Sequence, residues 1–350
     1  MDQWKALPKV ELHCHLEGAV RLSTILHYWH KYGLQTEDHE ADLKDYFQPS
    51  RPLPNLSAFL SVFGRSQVLY REAEFFRRIA YEVCEDKARD GVQLLELRYA
   101  PAHCSPDPPP ASLPHPLSYD EVLGAVAEGI REAEKKFDIE VGLICLAVST
   151  LGADSVKKTA EFAAIHRDMF CGLDVAGSED DLEWCWPLVK GVGLPLTVHC
   201  GQDICSRAAM EGRAKDNVRF AVEQMGATRI GHGVLVGRDE AMVEWLNERD
   251  VLLELSVTSN VFTGAVKSVE AHPLPFFLSK GLRVCVNTDD PGVTGSGIAE
   301  EYAMLNARLG ISEADFLLTS IDALRGSFLP DDRKVRVRER LDCALAAARG

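Results

Sequence analysis

The feature that most constrains the fold is a regular alternation of short, almost wholly apolar segments with longer amphipathic ones. Strands that are apolar at nearly every position suit a parallel sheet that is covered on both faces. The predicted strands are 9–16, 92–99, 140–148, 169–176, 194–199, 228–233, 251–256 and 282–289. Amphipathic helical patterns between them include 120–136, 154–167, 214–226 and 238–248.

Eight strands separated by helices over 350 residues predict an α/β fold of the (β/α)8 TIM-barrel type. An open doubly wound sheet would often contain a phosphate-binding glycine turn, and the sequence has neither a GxGxxG nor a Walker motif. No internal repeat or linker divides the chain, so we expect one domain over residues 1–350.

The charge balance narrows the class of partner. A net charge of −15 argues against a general binder of nucleic acids or membrane surfaces, because those partners need basic patches. The first residues lack the pattern of a signal peptide, and no apolar run reaches the length of a membrane span. The ten scattered cysteines form no CxxC pair and suggest reduced thiols in a cytoplasmic protein. We expect a small-molecule partner, with monomer and homodimer both open.

Two stretches interrupt the alternation, 37–55 and 103–118, and both are rich in proline and polar residues. The first is expected to lead into a helix over 56–66 with an apolar stripe of Leu56, Phe59, Leu60 and Phe63. Core packing is the simpler interpretation of that stripe. The alternative is a hydrophobic wall over the mouth of an active site.

Histidines and aspartates cluster where the predicted strands end. His13 and His15 close the first strand, and because they are two residues apart their side chains point to the same side. The remaining polar strand ends are His199, His232, Asp289 and Asp290. In a barrel these ends converge on the face where active sites lie.

Imidazoles with a carboxylate and no thiolate suit a catalytic zinc or a similar divalent ion that leaves a position open for water. Such an ion lowers the pKa of its bound water to about 7, which supplies a nucleophile at neutral pH. The strand-end residues therefore predict a metal-dependent hydrolase.

Several motifs, in order along the chain, resemble the adenosine deaminase family of the amidohydrolase superfamily. They are KVELHCHLEGAV, ELRYAP, DVAGSE, TVHCGQD, RIGHGV, LELSVTSN followed by HPL, VNTDDPG and the C-terminal SFLP. This resemblance covers about residues 7–330 and implies a barrel of the metal-dependent hydrolase type.

The resemblance implies roles for individual residues. One zinc ion per chain would be held by His13, His15, His199 and Asp289. His232 would orient or deprotonate the attacking water, and Asp290 would contact the water and a purine nitrogen. The remaining implied substrate contacts are His15, Gly177, and Glu17, which stands where adenosine-specific members usually have aspartate; a ribose contact is therefore left open.

Gln202 departs from the family pattern. The family has glutamate at this place as the general acid that protonates purine N1 while hydroxide adds at C6. Glutamine has nearly the same shape and can donate a hydrogen bond, but it cannot give up a proton. General acid–base catalysis contributes about 10²–10⁴-fold. The neighbouring Asp203 is a candidate replacement, although a residue just after a strand end usually points elsewhere.

Three interpretations of Gln202 remain open at this point. The residue is an isosteric substitution for a natural glutamate, or it is natural in a diverged amidohydrolase whose reaction needs no proton there, or the chain is a non-catalytic relative that binds zinc and a purine. A metal-free interaction module is a further class. The expected substrate is an aminopurine or its nucleoside. Arg65, Arg98 and Arg207 are candidates for binding a phosphate, with a structural role favoured for Arg98.

Overall fold

Eight parallel strands form one sheet in which the strands follow each other in chain order. A computed structural model describes residues 1–34, 40–113 and 115–349. The strands are β1 Lys9–His15, β2 Val92–Tyr99, β3 Glu140–Val148, β4 Gly172–Ala176, β5 Leu196–Cys200, β6 Arg229–His232, β7 Leu252–Leu255 and β8 Val284–Val286. All eight lie within or at one residue of the predicted segments, which confirms the (β/α)8 TIM barrel.

The last strand returns to the first, although they pair only loosely. One parallel bridge joins Cys14 to Asp289. The Asn287 side chain completes the seam, because its Oδ1 accepts the backbone N–H groups of Leu12 at 2.9 Å and His13 at 3.1 Å. A side-chain amide thus takes the place of ladder bonds where the barrel closes, next to the predicted site.

Helices surround the sheet and bury its outer face. The first nine are α1 Asp2–Ala6, α2 Leu22–Lys31, α3 Glu40–Phe47, α4 Leu56–Ser66, α5 Ala73–Arg89, α6 Pro101–Cys104, α7 Tyr119–Lys136, α8 Ala153–Ile165 and α9 Leu182–Val189. They are followed by α10 Arg207–Met210, α11 Ala214–Glu223, α12 Glu240–Glu248, α13 Val257–Phe262, α14 Leu274–Ser279, α15 Pro291–Thr294, α16 Ile298–Leu309, α17 Glu313–Gly326 and α18 Asp331–Arg349. Single 3₁₀ turns lie at Gln67–Leu69, Ser149–Leu151, Glu179–Asp181, Val234–Val236 and Val269–Ala271.

The expected irregular stretch 37–55 is partly wrong. Residues 37–39 lie outside the described residues, but α3 occupies Glu40–Phe47. Leu43 and Phe47 are four residues apart on this helix and are both buried, which anchors it on the core despite its polar composition. In the second stretch, α6 covers its first two residues and Pro114 lies outside the described residues.

Within the described ranges, no helix is both long enough and apolar enough to cross a membrane.

Removing the Asn287 side chain should destabilise the barrel at its seam. Asn287→Ala leaves two buried backbone N–H groups without an acceptor, each costing about 1–3 kcal/mol, so we expect a loss of about 2–6 kcal/mol. Urea unfolding measures this loss. Asn306→Ala is the matched control. The Asn306 side chain likewise bonds to the backbone, donating to the carbonyl of Ile311 at 2.9 Å, but it lies away from the seam. Equal losses in the two variants would contradict the assignment.

Candidate active site

Four potential metal ligands converge at the carboxyl ends of the strands. One ligand atom from each of His13, His15, His199 and Asp289 lies within 4.8 Å of the others. The Asp289 Oδ1 is 3.1 Å from Nε2 of His13 and 3.1 Å from Nε2 of His15. The Nε2 atoms of His15 and His199 are 3.2 Å apart. Nε2 of His13 is buried and, although close to Asp289 Oδ1, does not have the geometry of a hydrogen bond with it, as expected of an atom kept for a metal.

Buried carboxylates orient two of these histidines from behind. Nδ1 of His13 lies 2.7 Å from Glu254 Oε2. Nδ1 of His199 lies 3.0 Å from Asp174 Oδ2. Carboxylates in this position fix the ring orientation and the tautomer of a metal-binding histidine, leaving Nε2 free as the donor. The four residues therefore fit a divalent ion in both donor type and support.

Arg98 connects the two supporting carboxylates. Its guanidinium donates to Asp174 Oδ2 at 2.6 Å and to Glu254 Oε2 at 2.8 Å, and all three side chains are fully buried. Burial would raise the pKa of Glu254, but Arg98 and Arg229 hold it well below its usual value, so the carboxylate stays charged. This confirms the structural interpretation of Arg98 and removes it as a phosphate ligand.

Two of the strand-end residues adopt a backbone conformation that side chains rarely take. His232 has a φ of 68° and Asp289 a φ of 65°. Residues other than glycine in this region cost about 1–3 kcal/mol and concentrate at functional sites. Their side chains meet, with Nε2 of His232 3.7 Å from Oδ2 of Asp289. Burial keeps the pKa of His232 well below its usual value, so the imidazole is neutral.

Asp290 and Glu17 are neighbouring acids in a buried setting. Burial and the charge of Asp289 raise the pKa of Asp290 well above its usual value. A Cβ atom on Gly18 would lie 1.8 Å from Asp290 Oδ1, so only glycine leaves room for this carboxyl group. Burial raises the pKa of Glu17 to about 7, and its Oε1 accepts the backbone N–H of Ala100 at 2.7 Å.

Gln202 lies at the wall of the cavity, and its Oε1 is buried without a partner. Its backbone N–H donates to Glu179 Oε1 at 2.8 Å, as does that of Asp203 at 2.7 Å. The Asp203 carboxylate accepts the backbone N–H of Cys205, and Asp203 is absent from the described lining of the cavity. The Asp203 side chain is therefore not placed in the cavity beside Gln202.

A cavity of about 340 Å³ opens beside these side chains. Eight of the nine predicted site residues line the cavity, and the buried His13 does not. The eight are His15, Glu17, Gly177, His199, Gln202, His232, Asp289 and Asp290. The stripe of α4 also lines it through Leu56, Phe59, Leu60 and Phe63. The stripe is thus the hydrophobic wall of the alternative interpretation, while Phe59 also packs against Val62 and Val293.

Gly177 fits its predicted place at the cavity for a steric reason. Its φ is 119°, and an added Cβ atom would lie 2.4 Å from Ser149 Oγ. A side chain at this position would therefore be strained and would also push into the wall.

The residues that support the site were not among those predicted. Asp174 and Glu254 each stand as a charged residue inside an otherwise apolar strand, and this is the signal that could have identified them. Glu179, Asn260 and His272 are also buried polar side chains near the site, and their loop and helix positions carried no comparable signal.

The fold and this cluster define a barrel hydrolase of the metal-dependent type, and the comparisons with known proteins narrow the class. The family model described as adenosine deaminase matches residues 8–344. Curated adenosine deaminases from Plasmodium gallinaceum and Shigella dysenteriae are each 31% identical over 341 residues, covering 96% of this chain and 91% and 98% of theirs.

Solved structures agree. An Arabidopsis ADAL protein complexed with GMP has a TM-score of 0.81 at 25% identity over 98% of this chain and 99% of its own. An adenine deaminase from Arthrobacter aurescens has a TM-score of 0.84 at 22% identity, covering 96% of this chain and 98% of its own, and shares the fold. This chain belongs to the adenosine deaminase family, as its motifs predicted. It is a hydrolase of the class that acts on purine C–N bonds.

Neutralising the carboxylate behind His199 should weaken metal binding. Asp174→Asn removes the charge that orients this imidazole, and losses of such supporting groups cost about 10–100-fold in metal affinity. Competition between the purified protein and a zinc chelator measures the change, with circular dichroism to verify folding. Asp239→Asn is the control, since Asp239 caps α12 through the Met242 N–H and pairs with Lys215, and contacts none of the four potential ligands. Equal zinc affinity in both variants would show that Asp174 does not support a metal site.

Proposed function

We propose that this protein is a zinc-dependent hydrolytic deaminase of an aminopurine base or nucleoside, with turnover lowered by Gln202. The observation that carries the proposal is the convergence of three imidazoles and one carboxylate within 4.8 Å at the wall of the cavity. In this reaction a water oxygen bonds to the ring carbon that carries the amino group, and the C–N bond breaks to release ammonia.

His13, His15, His199 and Asp289 would hold one zinc ion per chain, because their donors form a single cluster. The ion would lower the pKa of a water molecule to about 7 and so supply the nucleophile. The donor set supports zinc over magnesium or calcium, which prefer sites built mainly from oxygen ligands.

The remaining site residues would bind and orient the substrate. Burial and the charge of Asp289 raise the pKa of Asp290, which favours a carboxyl group able to donate a hydrogen bond to a ring nitrogen. Gly177 lines the cavity, so a flat ring bound there can contact its backbone. His232, neutral and 3.7 Å from Asp289, stands where it can orient the oxygen nucleophile.

Gln202 would limit the rate of the reaction. Its amide can hydrogen-bond to the ring nitrogen but cannot protonate it, and Asp203 is turned away towards Cys205. Glu179 is a buried acid nearby, but its Oε1 is occupied by two backbone N–H groups and it is absent from the described cavity lining. A substrate that needs its ring nitrogen protonated should therefore bind well and react slowly.

The cavity supports a base or nucleoside rather than a nucleotide. Its described lining contains no lysine or arginine. Arg65 instead donates to the carbonyl of Tyr46 and lies over that ring, 4.5 Å from the centroid. Arg207 belongs to α10 and is also absent from the described lining. A phosphate group in this cavity would have no lysine or arginine to offset its desolvation.

Replacing Gln202 by glutamate should raise deamination. The variant restores a group able to protonate the ring, and we expect turnover of the best substrate to rise by about 10²–10⁴-fold. Ammonia release from a panel of aminopurines and their nucleosides measures this for the zinc-loaded protein. Asp203→Asn is the control and should leave turnover unchanged.

The same panel separates the alternatives. A parent protein that is already fast and is slowed by Gln202→Glu would contradict impairment and favour a diverged hydrolysis. If neither protein turns over any member of the panel while both bind zinc, the protein is a non-catalytic purine-binding relative.

A 5′-phosphate should weaken binding. Inosine and inosine 5′-monophosphate are suitable probes because they lack the amino group that would be removed. We expect the monophosphate to bind at least about 10-fold more weakly in calorimetric titration of the zinc-loaded protein, since the described cavity lining offers no lysine or arginine to the phosphate. Equal or tighter binding of the monophosphate would overturn the nucleoside assignment.

A further inference from the structure

A line of buried hydrogen bonds runs from the N-terminus of α14 to His232. The backbone N–H of Leu274 donates to Nδ1 of His272 at 3.1 Å. Nε2 of His272 lies 3.2 Å from Oδ1 of Asn260. Nδ2 of Asn260 lies 3.0 Å from Nδ1 of His232. His272, Asn260 and His232 are each at most 1% exposed, so water does not compete for these bonds.

The direction of every bond in this line follows from its first member. A backbone N–H can only donate, so Nδ1 of His272 must accept and the ring proton must sit on Nε2. That Nε2–H donates, so the Asn260 atom facing it must be the carbonyl oxygen. The amide nitrogen of Asn260 then faces His232 and can only donate. Nδ1 of His232 is therefore an acceptor, and the proton of the neutral ring sits on Nε2.

The anchor of this line holds a single protonation state. Burial lowers the pKa of His272 to about 3, so the ring is neutral across the physiological range. A second proton on its Nδ1 would point at the N–H of Leu274, which lies 3.1 Å away. Asn260 is held in turn by its own backbone, because its N–H donates to Ser256 at 2.8 Å and its carbonyl accepts from Val266 at 3.0 Å.

We propose that Asn260 and His272 are positioning residues that fix His232 as its Nε2–H tautomer, so that His232 acts as a hydrogen-bond donor at the reacting face. Nε2 already carries the ring proton and so cannot accept one from water, and Asn260 cannot take a proton from Nδ1 to release the ring for that role. Of the two roles implied for His232, orienting the nucleophile is thus favoured over deprotonating it. The tautomer of His232 is independent of the proposed function, and only its role in deamination rests on that function.

The tautomer itself is measurable by NMR, independently of turnover. The nitrogen resonances of neutral histidine differ between its two tautomers, and the His232 signals are assigned by their loss in His232→Gln. We expect the zinc-loaded, ¹⁵N-histidine-labelled protein to show His232 protonated at Nε2 and His272 protonated at Nε2. A His232 proton on Nδ1 in the parent protein would overturn the proposal, whatever the activity.

Asn260→Asp reverses the bond with almost no change in shape. A carboxylate accepts where the amide donated, so we expect the His232 proton to move to Nδ1 and turnover to fall by about 10²–10⁴-fold, as for other enzymes with a histidine in the wrong tautomer. Turnover is compared in the Gln202→Glu background, where it is easiest to measure. Asn306→Asp is the control and should change neither the tautomer nor the turnover.

His272→Phe keeps the proposal testable if Asn260→Asp does not fold. It leaves the Asn260 amide without the partner that orients it, so both tautomers of His232 should appear. Retention of the pure Nε2–H form in a folded Asn260→Asp or His272→Phe variant would overturn the proposal. If the tautomer changes as expected while no purine is turned over by any variant, the proposed function fails and the positioning role stands.

Discussion

The buried contact of Arg98 with Asp174 and Glu254 is the interaction on which the site depends. One guanidinium joins two carboxylates from different strands, and each carboxylate holds a histidine of the ligand cluster. Removing one member of such a buried ionic set is strongly destabilising, by about 3–5 kcal/mol, because it leaves an unpaired charge. The barrel interior is therefore an ionic framework below the site as well as an apolar core.

A second framework holds the other side of the site through neutral groups. Asn287, Asn260 and His272 are fully buried and satisfy backbone or ring nitrogens around His13 and His232. Neutral amides have a fixed donor and a fixed acceptor end, so they determine hydrogen-bond direction as well as position. The charged framework stabilises the ligand geometry, and the neutral one specifies where protons sit. The strained backbones of His232 and Asp289 lie between the two.

Much of this architecture could be predicted from the sequence. Parallel strands covered on both faces are apolar throughout, and this pattern placed all eight. Because strand ends converge in a barrel, His13, His199 and Asp289 could be grouped before their contacts were known. The helix α3 was missed because most of its residues are polar, and Leu43 and Phe47 are the buried apolar anchors among its described side chains. The pairing of Asp174 and Glu254 with Arg98 could not be predicted, because both acids lie far along the chain from that guanidinium.

The seam of the barrel has a consequence for when the four potential ligands could bind a metal ion. Three of the potential ligands belong to β1 and β5, but the carboxylate follows β8 and meets them across the seam formed by the Cys14–Asp289 bridge and the Asn287 amide. During synthesis, the first histidines leave the ribosome well before the aspartate that completes their set. High-affinity capture of an ion by all four residues would thereby be delayed until the two ends of the sheet have met, and metal occupancy would report completed folding.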